Sequence, residues 1–155
     1  MNISDFVNGP SHLMKTWKSL RTKLTTDLTD YQQLENVLNF WSNAPISTIT
    51  SDWNDAESWI EPWTFIHNNK FDESSRAVGM FFSLLLSHDG RWTTDRLSLV
   101  CITNQTITTP RIILEIDNRL ILNLEYRAVV DHCTSSPNYT IHTRYDYQTA
   151  RYSML

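Results

Sequence analysis

The chain has 155 residues, 41% of them hydrophobic and 19% charged, and a formal net charge of −4. That is enough chain for one domain with a real core, and the balance excludes a disordered protein and a global basic field that would gather nucleic acid. Three Gly leave little for a glycine-lined phosphate loop, and two Cys make neither a disulfide framework nor metal-type spacing.

Met1-Asn2-Ile3-Ser4-Asp5 lacks the basic start and apolar run of a signal peptide. Cytoplasmic synthesis without export is therefore expected, and the Asn-x-Ser/Thr triplets at Asn2, Asn104 and Asn138 read as coincidence. Gly9-Pro10 predicts a turn into a helix with Leu13, Trp17, Leu20 and Leu24 on one stripe. Lys15, Lys18, Arg21 and Lys23 lie opposite, the one concentrated basic segment. Residues 1–28 are thus expected as an amphipathic arm ahead of a single domain over 29–155.

Thr29-Asp30-Tyr31-Gln32 matches a capping box, and the helix after it places Tyr31, Leu34, Leu38 and Trp41 on one stripe. From Ser47 to Asn69 there is no clear period, but Trp53, Trp59, Trp63 and Phe65 would have to be pinned by burial. A long apolar helix is predicted from Glu73 to Ser87, with Asp72 as its cap and Ala77, Met80, Phe81, Leu84 and Leu85 buried. It is too short to span a bilayer. His88-Asp89-Gly90 is expected to close it.

Leu97 to Thr103 reads as a strand, with Cys101 a small buried hydrophobe. Asp117-Asn118 reads as a two-residue hairpin turn between Ile112–Ile116 and Leu120–Tyr126. Alternation places Ile112, Leu114, Ile116, Leu120, Leu122, Leu124 and Tyr126 on one face. Arg111, Glu115, Arg119, Asn123 and Glu125 take the other, with Ile113 and Ile121 as apolar exceptions. A last strand runs from Tyr139 to Tyr147. The expected fold is α+β: N-terminal helices and one buried central helix packed on a small antiparallel sheet.

A buried helix followed by a strand and a hairpin, over about Asn69 to Tyr126, resembles the core of transglutaminase-like and papain-like cysteine hydrolases. The resemblance implies a nucleophile at the helix start, a base opening the first hairpin strand and an orienting residue on the second. Here those positions fall at Ser74 or Ser75, near Pro110 or Arg111, and near Asn123. Arg cannot serve as a base, and Ser without a neighbouring base is a poor nucleophile, so the family's thiol chemistry is expected to be absent. The compact aromatic-rich chain also looks like small accessory or virion proteins of tailed phages.

Other candidates are weaker. Asp131-His132-Cys133 joins acid, imidazole and thiol, but adjacent residues do not normally face one another. His12, His67, His88, His132 and His142 show no metal-ligand spacing. Asp52, Asp55, Glu57 and Glu61 surround Trp53 and Trp59 as a solvated loop or a receiver of a basic peptide or carbohydrate. Arg76, Arg111 and Arg144 either surround a carboxylate or pair with Glu73 and Glu115.

These readings favour a non-catalytic interaction or assembly protein with no metal and no cofactor. The binding residues expected are Trp17, Lys18, Arg21, Trp53, Trp59 and Trp63, together with an exposed sheet edge. The partner is expected to be protein rather than nucleic acid or membrane, with self-association left open. The alternative is a small hydrolase or transferase with a rearranged site around His132 and Cys133.

Overall fold

A computed structural model describes residues 9–45 and 72–145. Helix α1 (Pro10–Lys23) starts on a proline, whose missing N–H is no loss at the first helical position, after Gly9 at φ +98°. Leu13, Trp17, Leu20 and Leu24 are all buried, while Lys15, Lys18 and Lys23 stay in solvent. That stripe joins the same core as the later helices and the sheet. The apolar side chains of α1 are thus covered by that core.

Helix α2 (Asp30–Ser42) opens with the expected box: the Thr29 hydroxyl accepts from the Gln32 amide, and the Gln32 side chain accepts from the Thr29 amide. Leu34, Val37, Leu38, Phe40 and Trp41 are buried, but Tyr31, expected on the stripe, sits in the first turn and is 48% exposed. Helix α3 (Glu73–Leu85) has a box of its own, in which Asp72 and Ser75 exchange amide-to-side-chain bonds of 2.7 and 2.9 Å. Ala77 to Leu84 is buried throughout, and Leu85 is partly covered. The helix ends two residues before the expected Ser87. Leu86 caps it at φ −97°, so the left-handed Gly90 (φ +72°) belongs to the following turn and does not close the helix.

Three helices meet at one hydroxyl. Trp17 and Trp41 both donate their indole N–H to Ser83 Oγ at 2.8 Å, and Ser83 donates to the Gly79 carbonyl at 2.7 Å. The hydroxyl's one proton and two lone pairs are thereby all used. Gly79 is required on the same grounds, since a Cβ there would lie 2.5 Å from the Trp41 ring.

Strands β1 (Leu97–Thr103), β2 (Arg111–Ile116), β3 (Leu120–Leu122), β4 (Val130–Asp131) and β5 (Thr140–Tyr145) form one antiparallel sheet in the order β4-β3-β2-β1-β5. Asp117 and Asn118 have φ of +56° and +55°, as a tight hairpin turn of this hand needs. Ile112, Leu114, Ile116 and Leu122 face the helices. The fold is α+β, as expected. Among the described residues no helix is long and apolar enough to cross a membrane.

The second hairpin strand is shorter than its alternation suggested. Asn123 turns left-handed at φ +71°, which ends β3 at Leu122 and sends Leu124 to the opposite face. There it meets Val100, Ile102, Ile113, Ile121 and Val130 in a second, smaller core. Ile113 and Ile121 are thus core residues of that face rather than exceptions. Strand β4 and the short helix α4 (His132–Ser135) have no counterpart among the expected elements, and β5 is shorter than the expected Tyr139–Tyr147, whose last two residues lie outside the described ones. Cys101 is buried, and burial pushes its thiol pKa up.

Candidate functional site

The start of α3, the start of β2 and the end of β3 converge. Glu73 is the first residue of α3, where the positive end of the helix favours a carboxylate. Its carboxylate forms an ion pair with Arg111, the first residue of β2. Asn123, turned by its left-handed backbone, donates its side-chain amide to the carbonyls of Glu73 at 2.6 Å and Ile112 at 2.9 Å. Arg111 reaches the Leu124 carbonyl at 3.5 Å as well. The three side chains line a cavity of about 140 Å³ with Arg76, Tyr126 and Arg127.

The serines expected at the nucleophile position point elsewhere. Ser74 is buried, and its hydroxyl accepts the Ile112 amide at 3.0 Å, tying α3 to β2. Ser75 is consumed by the helix cap. The residue that faces Arg111 and Asn123 is Glu73, one position earlier. The sequence already carried a signal for it, since Glu73 directly follows the capping Asp72. Tyr126, expected on the core face of the hairpin, is instead 67% exposed, and Arg127 carried no expectation, because the left-handed turn at Asn123 breaks the alternation before them.

The chemistry available here is restricted. A guanidinium has five donors and no acceptor, so Arg111 cannot take a proton, and Glu73 is held by it. Asn123 spends both amide protons on backbone carbonyls. Arg76 lies close by, its guanidinium donating to the Ala44 carbonyl at 2.6 Å and the Ser42 carbonyl at 3.3 Å. Burial lowers its pKa from the usual value for arginine.

Asp131, His132 and Cys133 diverge. The Asp131 carboxylate caps α4 through the Cys133 amide at 2.9 Å and is gripped by Arg119 at 3.0 and 3.2 Å. The His132 ring instead meets the Tyr139 hydroxyl at 3.0 Å. That hydroxyl donates to Glu115, a carboxylate only 4% exposed that also pairs with Arg144. Burial, followed by the bond to Glu115, pushes the Tyr139 hydroxyl pKa up. The expected internal pairing of arginines is seen as ion pairs at Arg111 and Arg144, whereas Arg76 feels the Glu73 charge but forms no ion pair with a described carboxylate.

Of the expected binding residues, Trp17 is 1% exposed and offers no surface, because its ring lies in the core with its N–H on Ser83. Arg21 is half-buried with its guanidinium 4.3 Å above the Trp17 ring, and Lys18 is exposed. Trp53, Trp59 and Trp63, with Asp52, Asp55, Glu57 and Glu61, lie outside the described residues. Among the described residues no three His, Cys, Asp or Glu side chains gather to hold a metal ion.

No protein-family model matches the chain, and no curated protein matches it in sequence. Solved structures do. The chain is similar to calcium-bound Legionella pneumophila LapG with a TM-score of 0.72 and 18% identity, over 95% of this chain and 85% of that one. A second LapG structure gives 0.71 at the same identity and coverage. EGTA-treated LapG gives 0.71 and 18% over 94% of this chain and 82% of that one. At that identity the likeness is one of fold, and it supports the helix-then-sheet core arrangement expected from the sequence.

Proposed function

We propose that this chain is a non-catalytic interaction protein built on a transglutaminase-like core. The observation that carries the reading is the Glu73–Arg111 ion pair, beside the Asn123 bond to the Glu73 backbone carbonyl, at the helix–strand junction where that fold type would set nucleophile against base. An acid and a guanidinium locked together supply neither an attacking thiol nor a proton acceptor. The alternative site at His132 and Cys133 is disfavoured because the imidazole is engaged by Tyr139 on the far face of the sheet. What the junction retains is a cleft with charge and an exposed ring, suited to holding a protein partner. An assembly role, in a phage particle or elsewhere, is the narrower form of this reading.

The test is thiol labelling at neutral pH with an electrophilic probe of cysteine hydrolases. Slow, unselective reaction at Cys133 and none at Cys101 is the expected result. Rapid stoichiometric labelling of Cys133, lost in His132→Ala, overturns the proposal, because only an activated thiolate reacts that way.

A further inference from the structure

We propose that the cleft beside the Glu73–Arg111 pair binds an acidic side chain presented by a protein partner, with Arg76 and Arg127 as the receiving groups and Tyr126 as the platform. This deepens the non-catalytic reading and rests on it.

Three guanidinium groups, Arg76, Arg111 and Arg127, and two carboxylates, Glu73 and Glu125, line this cavity. Glu73 and Arg111 neutralise each other. Neither Arg76 nor Arg127 forms an ion pair with a described carboxylate, although the charge of Glu73 also reaches Arg76. Arg76 donates to the Ser42 and Ala44 carbonyls, and its Nε is buried without a hydrogen bond. Arg127 donates to the Asn43 side-chain oxygen and stands on a left-handed backbone at φ +57°. Both guanidinium carbons lie near the Tyr126 ring, at 5.7 and 5.1 Å from its centroid.

Arg76 and Arg127 are near enough for their like charges to oppose one another, and in a protein of net charge −4 the arrangement is not a by-product of general basicity. An anion placed between them relieves the repulsion and gains charge-assisted, forked hydrogen bonds. The type of anion follows from the local balance. With Glu125 on the rim, the surplus is a single positive charge, which matches a carboxylate better than a doubly charged phosphate. Tyr126 is 67% exposed, an unusual outlay for an aromatic ring that also anchors its hydroxyl on the Ser42 carbonyl at 3.3 Å. The exposed part of its ring can cover the methylene stem of a glutamate whose carboxylate meets the guanidinium groups. Arg clusters of this kind are a recurring means of reading acidic motifs in partner proteins.

The experiment uses the full chain and three capped alanine-based peptides carrying one central Glu, Gln or phosphoserine. Binding is followed through the arginine side-chain and Tyr ring signals by NMR. The Glu peptide is expected to shift Arg76, Arg127 and Tyr126 saturably, and the Gln peptide to bind about tenfold more weakly. Arg127→Gln should lose about the same factor, while Glu125→Gln should tighten binding of the Glu peptide a few-fold, about as expected from removing a like charge nearby. A gain of that kind cannot arise from a misfolded variant. Equal binding of Glu and Gln peptides, tighter binding of phosphoserine, or shifts away from Tyr126 each overturn the proposal. Peptide masses are read afterwards: a cleaved peptide overturns the non-catalytic reading, whereas an intact peptide that does not bind overturns the acidic-ligand site alone.

Discussion

Glu73 and Arg111 open α3 and β2 respectively, and their side chains meet in an ion pair at the mouth of the cleft. The pair sits where Asn123 also ties the two elements through carbonyls of Glu73 and Ile112. The junction is therefore held by side-chain bonds to backbone groups from Asn123 and Ser74, and the ion pair occupies it without being needed to build it. Glu73 is close to half exposed, so the pair itself adds little stability.

That separation makes a double variant at the two positions informative. Glu73→Cys with Arg111→His places a thiol at the positive start of a helix beside an imidazole, the arrangement that favours thiolate. The new thiol is expected to react with iodoacetamide near neutral pH at least about tenfold faster than Cys133. Equal rates, with the fold confirmed by circular dichroism, would show that Glu73 does not occupy the position assigned to it.

Ser83 accepts from two buried indoles. Ser83→Ala removes the acceptor that the Trp17 and Trp41 N–H groups share in the core. A loss of about 2–4 kcal/mol in urea-induced unfolding is expected, since each buried unsatisfied donor costs about 1–3 kcal/mol. A change under about 0.5 kcal/mol would mean that the hydroxyl is not their shared acceptor.

Gly79→Ala tests the close approach of α2 and α3. The added methyl meets the Trp41 ring, so the ring or the helix must shift, at a cost of about 1–3 kcal/mol, despite the higher helix propensity of Ala. Leu84→Ala, in the same helix, should cost about 2–5 kcal/mol by leaving a cavity. If Gly79→Ala proves stabilising in thermal unfolding, the two helices are further apart than described.

Acid should weaken the contact between the helical layer and the hairpin. Arg96 bonds Asp117 and Asp30 and holds both carboxyl pKa values below their usual range. Groups with depressed folded-state pKa values contribute stability above their unfolded value of about 3.9, and lose it as the pH falls through the folded values. Thermal midpoints measured between about pH 2 and 6 should therefore fall less steeply for Asp30→Asn with Asp117→Asn than for the wild type. Both side chains are largely solvated, so the difference is expected to shrink in high salt.

The sequence by itself determined the local grammar: the Thr29 capping box, Asp72 as a cap, the Asp117-Asn118 turn, the limits of β1 and the stripe of α1. These depend on residues within about four positions of one another, where hydrogen-bond geometry and steric limits on φ act regardless of context. Tertiary structure decided the rest. Trp17 reads equally as an exposed anchor or a core ring until Ser83, 66 residues away, is brought under its N–H. Alternation carried Leu124 to the wrong face because a single left-handed residue, Asn123, resets the count, and that turn is stabilised by carbonyls from α3 and β2. The position facing Arg111 could not be told apart among Glu73, Ser74 and Ser75 from order alone, since consecutive helical residues point about 100° apart. Only the packing of α3 on β2 turns Ser74 inward and leaves Glu73 in the cleft.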